Sequence, residues 1–376
     1  MTIDTGLRRT PLYEKHRALG ARMVPFAGWE MPIQYAGIVT EHRAVRGAAG
    51  LFDLSHMGEF WFEGVDALSA LDHLISSDVG GLPIGHARYG LLTNEQGTIV
   101  DDVIAYRVGP DRVMVVVNAS NIEKDAAHVR RHLPSGVRFD DKSMDTALIA
   151  PQGPRAAAVL SRVAGMGVDD LMPFGVAETT VGGAKATVAR TGYTGEDGFE
   201  IFVESAQVGH VWDAILEKGR PSGALPAGLG ARDATRLEAA LRLYGNEMDE
   251  TVNPYEAGLG WTVKLTKTDF IGRDALATEK QNGPRRTLIG LETDPGIIPR
   301  HGAAILRDGR RTGLITSGTH SFFLGHPIAL AMVEVPSFPV GATVAVEVRG
   351  REAPAKVVKL PFYRGSARSA VSPAIT

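Results

Sequence analysis

The sequence predicts a multidomain protein of mixed α+β and α/β class that ends in a small antiparallel β-barrel. Three observations predict it. At 376 residues the chain is too long for one ordinary core and suits two or three domains. Residues 58–139 and 140–225 each alternate strand-like and helix-like segments in a similar order, which suggests an internal duplication. Beyond residue 285, short strand-like runs follow one another between Gly and Pro turns with no convincing helix.

Residues 10–50 read as short helices and loops, with EHRAVRGAAGLF (41–52) a helix stopped at Gly50. EFWFEG (59–64) is a strand, and VDALSALDHLI (65–75) is a helix by its apolar spacing. ARYGLLT (87–93) and TIVDDVIAYRV (98–108) are strands joined by the turn Asn94-Glu95-Gln96-Gly97, and RVMVVVN (112–118) is a third. Ser120 and Glu123 have capping-box spacing and open a helix that runs to about Leu133. In the next block TALIAPQGP holds a strand and a turn, and RAAAVLSRV a helix. TTVGGAKATVART and GFEIFV are strands, and VGHVWDAILEKG is a helix. ARDATRLEAALRLYG (231–245) is an amphipathic helix with Leu237, Ala240, Leu241 and Tyr244 on one stripe. Residues 280–284 form a linker. TLIGLET, AAILRD, RTGLITS, IALAMVE, TVAVEVR and PAKVVKL then supply the strands of the barrel.

A formal net charge of −3 leaves no basic footprint for nonspecific nucleic-acid binding. No apolar run approaches the ~20 residues of a membrane helix, and the N-terminal residues lack the apolar core of a signal peptide. The chain has no cysteine, which excludes disulfides, thiolate metal sites and a cysteine nucleophile, and which fits a cytoplasmic protein.

Asp101 and Asp102 stand together in the apolar run 98–106. Strand alternation turns them to opposite faces: Asp102 with Val100, Ile104 and Tyr106, Asp101 with Ile99, Val103 and Ala105. A desolvated carboxylate is costly unless paired or used. The pair alone also fits a capped strand end or a solvated edge. Glu200 similarly lies between Phe199 and Ile201. It suits either an ion pair with an arginine or two parallel N–H donors, as on an aminopyrimidine edge. Tyr89, Tyr106 and Tyr193 suit either core packing or an aromatic slot for a flat ligand. His128 and His132 have metal-binding spacing, but Arg130 and Arg131 beside them would repel a cation, so they read as a solvated helix face and no metal site is expected. Ser55-His56 lacks the context of a hydrolase triad, and His56 reads as a structural hydrogen bonder. The glycine-rich runs at 191–198 and 228–232 lack the strand–GxGxxG–helix order of a dinucleotide site.

Taken together, TPLYEKHRALGARMVPFAGWEMPIQY, LFDLSHM, GTIVDDVIAYR, NASNIEKD, QGP, TGYTGEDGFEI, GLGARDATRLEAALRLYGNEMDE, DFIGRDAL and TSG, in this order over nearly the whole chain, resemble the aminomethyltransferase family of the glycine cleavage system, the T-proteins. The resemblance implies a three-domain cloverleaf around a central cavity that holds tetrahydrofolate, with two related α/β domains and the barrel. The division would be 1–51 with 140–226, 52–139 with 227–279, and 285–364, followed by a mobile tail at 365–376. It implies that Asp102 is the active-site carboxylate and that Glu200 recognises the pterin. Tyr193, Arg232, Tyr89, Tyr106 and Met57 would line the folate site, with Asn118 beside that wall. The implied partner is the lipoylated H-protein, whose lipoyl arm carries the aminomethyl group. The loop TSGTHSFFLG (316–325) departs from the family's usual TSGxxSPTLG at Phe322 and Phe323, at the cavity rim or partner surface. Two other readings share the scaffold: a tetrahydrofolate-dependent demethylase of a small methylated substrate, and a non-catalytic folate-binding accessory protein. The latter branch carries a cysteine signature absent here.

Overall fold

Two large open sheets, a two-stranded hairpin and one closed barrel account for the strands of the computed structural model, in which residues 6–367 are described. The chain begins with α1 (Tyr13–Ala18), a hairpin of β1 (Arg22–Phe26) and β2 (Trp29–Gln34), α2 (Ile38–Gly47) and β3 (Ala49–Asp53). Next come β4 (Gly58–Glu63), α3 (Ala67–Leu74), β5 (His86–Thr93), β6 (Ile99–Gly109), β7 (Arg112–Val117), α4 (Ile122–His132) and β8 (Arg138–Asp141). The same series of element types follows in β9 (Thr146–Gln152), α5 (Ala156–Leu160), β10 (Val176–Val181), β11 (Ala184–Ala189), β12 (Glu200–Glu204), α6 (Val208–Gly219) and β13 (Ala224–Pro226). Then come α7 (Leu229–Glu238), α8 (Arg273–Asn282) and the barrel strands β14 (Arg286–Thr293), β15 (Ala304–Arg307), β16 (Arg310–His320), β17 (Pro327–Glu334), β18 (Thr343–Val348) and β19 (Arg351–Val358).

The repeat extends to topology. One sheet runs β5-β6-β7-β4-β8 and the other β10-β11-β12-β9-β3-β13. Matching elements hold matching places, with β3 inserted between β9 and β13. The outer face of the first sheet packs Phe60, Phe62, Val103 and Ala105 against α3 and α4. The outer face of the second packs Ile149, Val188 and Ile201 against α5 and α6, with Trp212 of α6 fully buried. The inner faces meet in one cluster that joins Tyr106, Met114 and Val116 to Phe52, Leu148 and Phe202. The result is a helix–sheet–sheet–helix stack, and the inter-sheet layer is where the polar residues of interest lie. The barrel closes in the order β14-β17-β16-β15-β18-β19, and alternate residues such as Ala329, Ala331 and Val333 fill its interior.

Several elements differ from the sequence reading. The helix expected over 41–52 stops at Gly47, and Ala49–Asp53 is a fully buried strand. Backbone pairing to β9 on one side and β13 on the other outweighs the helical propensity of this alanine-rich stretch. The hairpin β1–β2 lies where loops were expected. Ser120 and Glu123 form no capping box: residues 119–121 make a 3₁₀ turn, α4 has no side-chain cap, and Glu123 reaches Arg8 instead. The helix expected to continue to 245 ends at Glu238, because Ala240 takes a positive φ of 52° and reverses the chain. Residues 280–282 are the last turn of α8, stopped by Gly283 at φ 78°. The strands β3 and β8 each cross an expected domain boundary, at 51/52 and 139/140. Within 227–279, α7 packs on α2, β2 and the barrel strands β16 and β17. The segment after it covers the first sheet, with Met248, Val252 and Leu259 against Leu91 and Ile99. In the expected mobile tail, Ser366 donates to Glu196 through its main-chain N–H and its hydroxyl, and the Ala367 N–H donates to the Gly195 carbonyl. Residues 368–376 lie outside the described residues.

Candidate active site

The β6 strand decides where the two aspartates go. Asp102 pairs with Leu91 and Asp101 with Leu92, but Thr93 pairs with Ile99, so Val100 is the extra residue of a β-bulge. The bulge breaks strict alternation. Val100 therefore packs on the helix side with Val103 and Ala105, and Ile99 joins Leu91 on the other side. The face expected to join Asp102 to Val100, and Asp101 to Ile99, is corrected accordingly. Asp102 keeps its place on the inter-sheet face with Ile104 and Tyr106.

Asp102 is half-buried. Its Oδ2 accepts the Tyr89 hydroxyl at 3.1 Å and its Oδ1 accepts the Asn118 amide at 2.7 Å. Burial and the adjoining Asp101 push its carboxyl up to about 7, against the lowering effect of the Asn118 and Tyr89 hydrogen bonds. Asn118 follows β7 directly and also bridges to Asp101 Oδ1 at 2.8 Å. Asp101 is fully buried and takes further N–H donors from the Asn118 main chain and from Asn121 at 2.6 Å.

On the facing sheet, Glu200 opens β12 and is buried. Its Oε2 accepts the Tyr106 hydroxyl at 2.7 Å and the Thr191 hydroxyl at 2.5 Å. Among the described residues, Oε1 has no hydrogen-bond donor and no arginine forms an ion pair with Glu200, so the ion-pair reading fails. Tyr106 is thus anchored in the inter-sheet core by its ring and reaches Glu200 by its hydroxyl.

Arg232 projects from the first turn of α7, and its guanidinium lies 4.6 Å from the centroid of the Tyr193 ring. It makes no side-chain hydrogen bond or ion pair among the described residues. Its proton affinity is lowered by burial and raised by Tyr193, Glu200 and Asp102, so the guanidinium sits within electrostatic reach of both carboxylates. Tyr193 donates its hydroxyl to the Arg242 carbonyl. Met57 packs against the inter-sheet cluster that contains Tyr106. Of the eight residues singled out from the sequence, Asp102 thus joins Tyr89 and Asn118, Glu200 joins Tyr106, Arg232 joins Tyr193, and Met57 shares a cluster with Tyr106.

Some neighbours carried no sequence signal strong enough to single them out. Trp261 is 52% exposed and stacks on Tyr89, ring centroids 5.9 Å apart. Glu59 lies fully buried on β4 with both carboxylate oxygens unpartnered. Burial, Asp141 and Glu200 hold its carboxyl well above the usual range, hence neutral. Its place in EFWFEG is a period-2 polar position that also fits solvent. His56 is buried edge-on to Phe26 and makes no side-chain hydrogen bond among the described residues, so it is not the hydrogen bonder expected. Burial and Arg232 lower its pKa to about 4 and keep it neutral. His128 is buried rather than solvated, ring to ring with His132, and no metal-binding group occurs among the described residues.

The departing barrel loop places Phe322 edge-on to His42 and Phe323 edge-on to Tyr363, while Ser321 donates to Glu238 at 2.6 Å. Phe323 itself is 54% exposed. No helix among the described residues is long and apolar enough to cross a membrane.

Residues 12–267 match the GCVT N-terminal domain, and residues 286–364 match the glycine cleavage T-protein C-terminal barrel domain. An aminomethyltransferase of Rubrobacter xylanophilus is 51% identical over 360 residues, covering 95% of this chain and 95% of the relative. One of Herpetosiphon aurantiacus is 47% identical over 360 residues, covering 95% of this chain and 99% of the relative. The crystal structure of the glycine cleavage system aminomethyltransferase T from Bartonella henselae superposes with a TM-score of 0.90 at 35% identity, covering 96% of this chain and 99% of that one. These matches span both the α/β body and the barrel, and on them the chain belongs to the glycine cleavage T-protein family of aminomethyltransferases.

Proposed function

We propose that the cluster around Asp102 takes the aminomethyl group from the lipoyl arm of an H-protein. Ammonia leaves, and 5,10-methylenetetrahydrofolate and the dihydrolipoyl H-protein form. One arrangement carries the reading: a half-buried carboxylate held by Tyr89 and Asn118, beside an unpaired guanidinium and a buried glutamate with one free oxygen. These groups fit tetrahydrofolate. Glu200 Oε1 suits the N–H edge of the pterin, Arg232 keeps its N–H groups for the ligand, and the Tyr89–Trp261 stack offers an aromatic wall.

Tetrahydrofolate supplies N5, a nitrogen already competent to attack the aminomethyl carbon. The protein has to position the partners, exclude water and meet the positive charge that develops at the transferred carbon. Asp102 meets that charge as a carboxylate and accepts a proton from the attacking nitrogen. Tyr89 and Asn118 fix its two oxygens. Glu200 anchors the pterin, with its own geometry set by Tyr106 and Thr191. Arg232 balances the two carboxylates and holds the folate, while Tyr193 beneath it and Met57 complete the lining. A cytoplasmic setting is part of the same proposal and is supported by the bacterial sources of the relatives.

The test is ammonia release from aminomethylated H-protein in the presence of tetrahydrofolate. Release that depends on both substrates is the expected result. Methyl transfer from a small methylated donor with no ammonia release would move the protein to the demethylase reading. Tight folate binding with neither activity would make it a binding protein.

A further inference from the structure

Behind Asp102, on the helix side of β6, lies a second acid that the transfer reaction does not touch. Asp125 is one turn beyond Asn121 on α4 and is fully buried, and neither of its oxygens accepts a hydrogen bond from a nitrogen or hydroxyl donor. The amide of Asn121, four residues earlier at the head of the same helix, reaches Asp101 at 2.6 Å, which sets the Asp125 carboxyl on the side of α4 that faces Asp101. Asp101, in contrast, already accepts from the Asn118 main chain at 2.9 Å, the Asn118 amide at 2.8 Å and the Asn121 amide at 2.6 Å. Two adjoining buried carboxylates cannot both carry a charge, and the one rich in donors keeps it.

We infer that Asp125 is a positioning residue that remains protonated and donates its O–H to Asp101, so that the pair carries a single charge and holds Asn118 against Asp102. Hydrogen bonds run without a break from Asp101 to Asn118, from Asn118 to Asp102 and from Asp102 to Tyr89, and the inferred Asp125 bond adds one link at the start. The other groups that face the pair are few. Asp102 adjoins it on β6. Lys124 on α4 turns its ammonium to the Val100 carbonyl and the Tyr244 hydroxyl. Asp249 and Glu250 lie beyond Tyr244 in the loop after α7, with Glu250 3.8 Å from Lys124. None of these donates to Asp125 among the described residues. Burial and the Asp101 charge hold the Asp125 carboxyl far above the usual carboxylate range.

The charge count matters for the site, because each full charge beside Asp102 raises its proton affinity. With one shared proton the pair presents one negative charge to Asp102, whereas two ionised acids would present two. Asn118 also needs a fixed acceptor on its far side if its amide is to aim at Asp102.

The inference rests on the proposed role of Asp102, and three measurements on the full chain test it. The first is infrared difference spectroscopy of the resting protein, wild type against Asp125→Asn. It should show loss of one protonated carboxylic-acid carbonyl band, a result independent of whether the site transfers aminomethyl groups. Absence of that band from the difference would overturn the inference. The second is turnover. Asp125→Leu, which cannot donate, should lower kcat about tenfold with the KM for tetrahydrofolate unchanged. Asp125→Asn, whose amide can donate to Asp101, should restore turnover to within about threefold of wild type. Equal turnover in wild type and Asp125→Leu, or Asp125→Asn as slow as Asp125→Leu, would overturn it. The third is the acidic limb of the kcat profile, which should stay in place in Asp125→Asn. A move to lower pH by about one unit or more would mean that Asp125 carried a charge of its own. If Asp125→Leu does not fold, the band and the Asp125→Asn profile decide alone.

Discussion

Asp102 is under opposed influences. Burial and Asp101 favour its neutral form, while the Tyr89 hydroxyl and the Asn118 amide favour its ionised form. Transfer requires the carboxylate, so kcat should rise as pH increases through about 7 and flatten above it. Tyr89→Phe removes a bond to the charged form and should move this limb to higher pH, as read from a pH–rate profile. Asp102→Asn cannot ionise, and turnover should fall on the order of a hundredfold or more while folate binding stays measurable. Near-normal ammonia release by that variant would remove Asp102 from the reaction. Glu200 is a binding group in this scheme. Glu200→Ala leaves the Tyr106 and Thr191 hydroxyls and the pterin N–H edge without their acceptor, and folate affinity should weaken by about 1–3 kcal/mol. Calorimetry showing unchanged affinity would exclude it from the site.

At the level of elements, strand placement does most of the work. The β6 bulge leaves Asp102 on the inter-sheet face while returning Val100 to the helix side, so one strand serves both the site and the α3–α4 core. β12 brings Glu200 and Phe202 to the same layer, and Phe202 lies edge-on to Tyr106 at 5.4 Å. That ring contact ties the pterin anchor to the packing between the sheets. Phe202→Ala should cost about 3–5 kcal/mol in denaturant unfolding, the range for a large aromatic lost from a core. The end of α7 at Glu238 is also functional in placement. Its first turn presents Arg232 to the site, and its last residue reaches the barrel loop through Ser321. A helix continued to 245, as the apolar stripe suggests, would carry Arg242 and Tyr244 away from Tyr193 and Lys124.

Across the whole molecule, one charged network fastens the α/β body to the barrel and the C-terminal segment. Arg46 of α2 binds Glu238 at 2.6 Å and Glu196 at 2.9 Å. Glu238 also takes His42 and Ser321, and Glu196 takes Tyr363 and Ser366. Arg46→Ala leaves two buried glutamates short of their cation and should cost about 3 kcal/mol or more in unfolding at neutral pH. The same network sets an acid limit. Burial opposes ionisation of Glu238, but His42, Arg46 and Ser321 outweigh it and hold its carboxyl below the ordinary value of 4.5. A group lowered in the folded state stabilises it fully above the unfolded value, and that stability is lost as pH falls from there through the folded value. Melting temperature should therefore drop as pH falls below about 4.5, and Glu238→Gln should flatten that dependence.

The sequence by itself determined the element types in both repeated blocks apart from their short last strands β8 and β13, the strands of the barrel, and the motif series that marks the family. These depend on short periods of apolar residues and on residue identities, which are local properties. It also brought the Asp101–Asp102 pair forward, because carboxylates in an apolar strand are conspicuous without any knowledge of their surroundings, and the family resemblance picked Asp102 from the two. Only the tertiary structure decided which neighbours share its face, since a single bulge residue reverses the count of alternation. Likewise only the fold brings Tyr106 to Glu200 across 94 residues and Arg46 to Glu238 across 192. The buried states of Glu59 and Asp125 were not legible either, because a polar position of a strand or helix looks the same whether it faces water or another sheet. Burial and charge pairing are properties of the space between elements, and that space exists only once they have packed.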